Sequence, residues 1–176
     1  MIEALISSKT RIKLLLKFFL NSNTVAYLRG LESEFGESSN GIRVELNRFE
    51  AAGMLTSFLR GNKKMFQANV GHPLFGEIHG ILMKYVGLDR VIEEVIERLG
   101  DVKKVYLVGD FSGGKDSQMI DLVIVGDVNK GYLVELVEKA EKLVKRKIRY
   151  VIYGLDEEGG IDFGGLDTEP LLLWDK

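Results

Sequence analysis

Apolar residues recur at helical spacing through the first fifty positions, and then the period shortens to that of strands. Ser7, Ser8, Lys9 and Thr10 precede a periodic stretch at 11–20, and a hydroxyl residue just before such a stretch is an N-cap signal. Asn21, Ser22 and Asn23 end it. Residues 24–35 are predicted as a second short helix, with Leu28, Leu31 and Phe35 on one face and Gly36 as its C-cap. Ser38, Ser39 and Asn40 open a third helix. Its residues Ile42, Leu46 and Phe49 fall at i, i+4 and i+7, and Gly53 stops it. Residues 54–60 and 63–70 then read as two strands around a tight turn at Gly61-Asn62.

The second half has a different rhythm. Residues 72–99 are predicted helical in two pieces, starting near His72-Pro73 and broken at Gly87. Residues 102–108 read as a strand, and 120–125 as one apolar enough to lie centrally in a sheet. A helix at 129–145 and a third strand at 148–153 follow. The tail from Gly154 is rich in glycine and acids and closes on Leu171-Leu172-Leu173-Trp174. That segment is apolar enough to be buried on its own sheet edge or against a second subunit. No internal repeat is visible. The expected class is a two-domain α/β chain of α+β type. Residues 1–70 form one domain, 71–100 connecting helices, and 101–176 a small α/β domain with its tail.

Composition narrows this picture. A chain of 176 residues that is 45% hydrophobic and 28% charged is ordinary for a globular protein. The absence of cysteine removes disulfides, thiolate metal ligands and cysteine nucleophiles, and suits a reducing compartment. The longest apolar run, 14–16 resuming at 18–20 after Lys17, is far short of the roughly 20 residues of a membrane span. No signal peptide is read, so a cytoplasmic protein with no membrane partner is expected. The net charge of −2 hides an asymmetry. Residues 1–70 hold 10 Lys+Arg against 6 Asp+Glu, a net of +4; residues 71–176 hold 14 against 20, a net of −6. A basic front half can face phosphates, which the acidic back half cannot do uniformly.

The third helix has the character of one that enters a DNA major groove, apolar on one face and hydrogen-bonding on the other. Ser38, Ser39, Asn40, Arg43 and Asn47 point away from its apolar face. Its N-terminus offers hydroxyls and backbone N–H groups to a phosphate. Arg43 can fork onto guanine and Asn47 onto adenine. Arg60, Asn62, Lys63 and Lys64 sit near the tip of the following hairpin, where a basic turn can grip phosphates. The alternative is a three-helix scaffold with a solvated polar face. Glu45 and Glu50, on the same helix, would repel phosphate. Residues 7–70 resemble the ArsR-like winged-helix regulators in three stretches: SSKTRIKLLLKFFLN, IRVELNRFEAAGMLTSF and RGNKKMFQAN. The resemblance implies a winged helix-turn-helix that binds duplex DNA as a homodimer, with residues 72–99 in the dimer interface. Many relatives sense metals through Cys and His. With only His72 and His79 here, that property is not carried over, and no cofactor is assigned.

The stretch VYLVGDFSGGKDSQMIDLVIVG (105–126) has the glycine and lysine spacing of a P-loop at Gly109, Gly114 and Lys115. However, Asp116 replaces the Mg²⁺-binding hydroxyl, and a strand, not a helix, is expected to follow. The stretch more closely resembles the minimal nucleotidyltransferases of the DNA polymerase beta superfamily, as do LDRVIEEVIERLGDVKKVYLVG before it and GYLVELVEKAEKLVKRKIRYVIY after it. The resemblance covers about residues 88–153. It implies a Gly-Ser turn, an Asp-x-Asp pair and a third carboxylate that together hold two divalent ions. Gly109 and Asp121 match this pattern. Asp110 replaces the turn serine, Met119 the first aspartate, and Tyr150 or a neighbour the third carboxylate. Three readings stay open: a degenerate domain that binds a nucleotide, Mg²⁺ or a partner; a pure scaffold; and an active nucleotidyltransferase using Asp110 or Asp116 as substitute ligands and the winged helix to dock on its substrate. The basic run Lys145, Arg146, Lys147 and Arg149 is expected to be a solvated helix end or, alternatively, an anion patch.

Overall fold

A computed structural model describes residues 2–166 and 168–176. It is mixed α/β, with two separate sheets. The chain divides into two compact units, Met1–Leu82 and Met83–Lys176.

In the first unit, α1 (Ile2–Leu5) leads to α2 (Lys9–Leu15). The Oγ of Ser8 caps α2 by accepting from the Arg11 N–H at 3.2 Å. The helix widens into a π-helical stretch over Leu16–Leu20. This region is apolar almost all round, and a helix of that kind has to be buried. Leu14, Leu16, Phe18, Phe19 and Leu20 are accordingly sealed from solvent. Lys17 interrupts the run without breaking it, because its ammonium reaches Glu34 at 2.8 Å. The expected helix at 24–35 is shorter than predicted. Residues Val25–Tyr27 form a strand, β1, and only Leu28–Phe35 is helical (α3). The β-branched Val25 and aromatic Tyr27 suit extended backbone, and a distant partner strand is available, with Val25 opposite Gln67 and Tyr27 opposite Met65. Gly36 ends α3 in the left-handed region at φ 63°.

Helix α4 (Ser39–Ala51) buries Ile42, Leu46 and Phe49, as the spacing predicts, and also Glu45. Strands β2 (Leu55–Arg60) and β3 (Lys63–Ala68) form the expected hairpin. Their ladder runs without a bulge from Leu55–Ala68 to Arg60–Lys63, and Gly61 supplies the positive φ of 60° that the two-residue turn needs. With β1 the sheet order is β1-β3-β2, antiparallel throughout. Helix α5 (Phe75–Val86) runs across the unit boundary.

In the second unit the helical stretch after Gly87 comprises α6 (Leu88–Val91), a π-helical segment (Ile92–Ile96) and α7 (Glu97–Leu99). Then come β4 (Val102–Val108), the one-turn α8 (Gly109–Ser112), β5 (Met119–Gly126), α9 (Lys130–Val144) and β6 (Lys147–Tyr153). The Asn129 side chain caps α9 by accepting from the Tyr132 N–H at 3.0 Å. A 3-10 turn (Leu155–Gly160) and β7 (Leu171–Asp175) complete the unit. The sheet order is β6-β5-β4-β7, so the apolar β5 is central; β5 and β6 are parallel, and β4 pairs antiparallel with both β5 and β7. The closing apolar segment takes its own sheet edge. No helix among the described residues is long and apolar enough to cross a membrane.

Candidate functional site

A groove of about 490 Å³ opens in the first unit beside α4. Arg43, Leu46 and Asn47 of α4, Tyr27 of β1, Leu28 and Arg29 of α3, and Asn62, Lys63, Lys64 and Phe66 of the hairpin line it. The structure therefore brings Arg43, Asn47, Asn62, Lys63 and Lys64 to one concave surface. Ser38, Ser39 and Asn40 stand outside that lining, at the start of α4, where Ser38 is the N-cap but its side chain makes no capping hydrogen bond. Arg60 also lies outside it, at the hairpin end, with its guanidinium 5.6 Å from the Phe58 ring centre. Arg29 and Tyr27 were not expected here. They reach the groove only because β1 pairs with β3, which the local sequence does not announce.

Charge pairing in this unit is uneven. Glu45 is not the phosphate-repelling group expected of it. Its side chain is 8% exposed and takes Arg11 at 2.8 Å and Arg48 at 3.1 Å. Burial would push this carboxyl up, but the Arg11 hydrogen bond and the charges of Arg11 and Arg48 outweigh it and hold the group below its ordinary range. Glu50 is engaged too, accepting from Lys64 at 2.7 Å and from the Ser57 hydroxyl, and these bonds hold it low. Lys13 pairs with Glu37 at 2.6 Å and Lys17 with Glu34. Among the described residues Arg29, Arg43, Arg60 and Lys63 have no carboxylate partner. All four belong to the groove or the hairpin tip. Lys9, at the start of α2, is likewise without a carboxylate partner among the described residues, and Lys64 in the groove is paired with Glu50, but most of the unpaired cations of the first unit gather at the groove and the hairpin tip.

In the second unit Asp121 faces Arg149 across the parallel β5–β6 register, and their ion pair measures 2.5 Å. The residue beside Asp121 on the third strand is therefore Arg149, not Tyr150, which lies opposite Leu122. The hydrogen bond that Arg149 donates to Asp121, with the charge of that carboxylate, raises the Arg149 guanidinium above its ordinary value. Gly109 is needed at the end of β4. Its φ is 71°, and a Cβ there would sit 2.6 Å from the Asp121 Oδ2. Asp110 lies 3.7 Å from Lys115. Asp116 accepts from the Tyr85 hydroxyl at 2.7 Å and pairs with Arg146 at 3.0 Å. No three His, Cys, Asp or Glu side chains among the described residues form a group able to hold a metal ion. After Lys115 the chain enters β5, so no helix begins where a phosphate-cradling loop would need one.

A cavity of about 280 Å³ lies over this ion pair, walled by Val123, Val151 and Tyr153 and by Ile161, Phe163 and Leu166 of the tail. Phe163 packs on Tyr106 with ring centres 5.1 Å apart. Glu158 ties the tail to β4 through Lys103 at 2.8 Å and Lys104 at 2.7 Å, and hydrogen bonds from Lys103 and then Lys104 draw its carboxyl down to about 2. Its folded value lies below the ordinary 4.5, so the stabilisation it provides is present above about pH 4.5 and is lost as pH falls through about 2. The unfolding midpoint of Glu158→Gln, followed by Trp174 fluorescence, is expected below that of the parent at pH 7 and to converge on it near pH 2.

The basic run at 145–149 is solvated at Lys145, Lys147 and Arg149, as expected of a helix end, but Arg146 departs from it. The Arg146 side chain is 11% exposed. It pairs with Asp116, donates to the Ser117 carbonyl, and lies 5.0 Å from the Phe111 ring centre. Lys147 pairs with Glu141 at 2.7 Å. In the first unit His79 stacks on Phe75 and approaches the Phe19 carbonyl at 2.8 Å through Nδ1, while His72 Nδ1 accepts from the Leu74 N–H at 3.1 Å. Comparison of the chain with protein-family models, with curated proteins and with solved structures finds no match.

Proposed function

We propose that this protein is a DNA-binding regulator whose first unit is a winged helix, with α4 as the recognition helix and the β2–β3 hairpin as the wing. The observation that carries the proposal is the clustering of unpaired cations: the glutamates at 34, 37, 45 and 50 are each held by a basic partner, while Arg29, Arg43 and Lys63 in the groove and Arg60 at the hairpin end have none among the described residues. A polyanion is the natural complement of that surface. With α4 in the major groove, Arg43 and Asn47 meet base edges, Arg43 suiting guanine and Asn47 adenine. Ser38, Ser39 and Asn40 bring the start of α4 to a phosphate, and Arg29, Lys63 and Arg60 grip the backbone on the wing side. Two copies acting on paired half-sites fit this mode, and light scattering tests for the dimer.

The second unit, in this proposal, is a nucleotidyltransferase-like domain that does not transfer nucleotides. Two-ion chemistry needs several carboxylates converging on one point. Here the carboxylate of Asp121 is held by Arg149, a cation built into the neighbouring strand. The donor set does not fit a pair of Mg²⁺ ions, and the unit is assigned to docking, dimerisation or sensing.

The test is titration of labelled duplex DNA at two salt concentrations, followed by selection from a random pool. Affinity that falls steeply between about 50 and 200 mM salt supports the proposal. No binding at low salt would overturn it. Glu50→Gln releases Lys64 from its ion pair, and this variant is expected to bind duplex about two- to fivefold more tightly at low salt, with a steeper salt dependence.

A further inference from the structure

The hairpin tip holds a feature that phosphate gripping does not use. Leu59 is 77% exposed, within one residue of the turn. Its cross-strand partner Lys64 shares its face, and the next pair, Arg60 with Lys63, points to the opposite face, so the tip is basic on both sides. Each cation lies over an aromatic ring of the same unit: Arg60 over Phe58 at 5.6 Å, Lys63 over Tyr27 at 4.4 Å and Lys64 over Phe66 at 5.1 Å. The rings hold the cations, Lys64 on the face of Leu59 and Arg60 and Lys63 on the other, while Leu59 stays largely exposed between them and the turn. The unbroken ladder and the two-residue turn make the tip stiff. A stiff tip is what insertion between stacked groups requires.

We infer that Leu59 is a wedge: the wing enters the minor groove of duplex DNA and Leu59 partly unstacks a base step, bending the duplex. The inference rests on the duplex-binding proposal above. An apolar residue presented among cations fits the minor groove, where negative potential is concentrated and apolar wedges part base steps. A second copy of this tip is a poor occupant, because it would set cations against cations. Pyrimidine–purine steps are the expected targets, since they unstack most readily.

The experiment uses the full chain and short duplexes carrying 2-aminopurine at a TA step or within a G·C-rich block, with donor and acceptor dyes at the ends. Wild type is expected to brighten 2-aminopurine at the TA step and to shorten the end-to-end distance. Leu59→Ser is expected to lose both signals at saturation and to bind about tenfold more weakly, with an unchanged salt slope; Leu59→Met is expected to restore them. Lys63→Ala is expected to weaken binding yet keep the bend at saturation. If wild type binds duplex without brightening or bending it, or if Leu59→Ser matches wild type, the wedge is wrong while DNA binding stands. If wild type binds no duplex at low salt, the proposed function itself fails. Leu59-dependent binding to anionic vesicles, with no effect of Leu59 on DNA, would assign the tip to a lipid surface and overturn the wedge.

Discussion

If the first unit binds duplex DNA as proposed, replacing Arg43 and Lys63 together by alanine is expected to lower the affinity about 100-fold at low salt, or about 2.7 kcal/mol. The loss has two parts. A bidentate arginine on a base edge carries about 1–3 kcal/mol of discrimination. Lys63 is assigned one phosphate contact in the proposal, and its loss is expected to lower the slope of log K against log salt by about 0.9. Both groups lack a carboxylate partner among the described residues, so neither substitution strands a buried charge, and the fold is expected to survive. The single variants separate the roles. Arg43→Ala is expected to relax sequence preference at one position of the selected site, whereas Lys63→Ala is expected to weaken all duplexes alike. Fluorescence anisotropy across salt concentrations, with selected and scrambled duplexes, reads both. Unchanged affinity in the double variant would remove α4 and the wing from the interface.

The second large effect is on stability. Arg11→Met is expected to destabilise the first unit by about 2–3 kcal/mol. Removing one partner of a buried pair typically costs about 3–5 kcal/mol, because the other charge is left uncompensated. The figure is reduced here because Arg48 still reaches Glu45 at 3.1 Å and Arg11 itself is partly exposed. Methionine keeps the apolar stem of the side chain, so the loss reports the charge and its hydrogen bonds at 2.8 and 3.2 Å. Adding Glu45→Gln should recover much of the loss, since no buried carboxylate then remains unpaired. The pH dependence has a definite sign. Glu45 is held below the ordinary 4.5, so the pair stabilises above about pH 4.5 and ceases to as the carboxyl protonates, and the gap between Arg11→Met and the parent closes in acid. Urea titration followed by far-UV circular dichroism measures this, with Trp174 reporting the second unit. A gap that stays constant to low pH would show that packing, not charge, is responsible. Loss of Arg11 also leaves a carboxylate less compensated beneath α4, so DNA affinity should fall with stability.

Periodicity carried most of the fold. The helix-to-strand switch after Gly53, the break at Gly87 and the central position of β5 all follow from spacing and local residue type, while for 171–174 the apolar pattern left a sheet edge and a second subunit both open. What escaped was set by partners distant in sequence. Val25–Tyr27 is a strand because β3 offers it a ladder some forty residues on, from Met65 to Gln67. Glu45 falls on the buried face of α4 by the same spacing that identifies Ile42 and Phe49, but its charge is tolerable there only because Arg11 arrives from α2. Arg29 joins the groove through the same strand pairing. In the second unit the gap left by the missing carboxylates was visible in Met119 and Asp110. The cation beside Asp121 was not, because a parallel register is fixed only when β6 settles next to β5. The π-helical stretches at Leu16–Leu20 and Ile92–Ile96 left no signature in the apolar pattern.

The pairing of β4 with β7 bears on the order of folding. Lys104 lies opposite Asp175, so this edge of the sheet closes a loop of about seventy residues, whereas β4 with β5 and β5 with β6 each join neighbours along the chain. The entropy of loop closure grows with the logarithm of length, and long-range pairings tend to form after local ones. The three-stranded core is therefore expected to assemble first, leaving β4 briefly an open edge able to take up a foreign strand. The apolar β7, together with the tail that Glu158 anchors, is the cap whose late arrival ends that exposure.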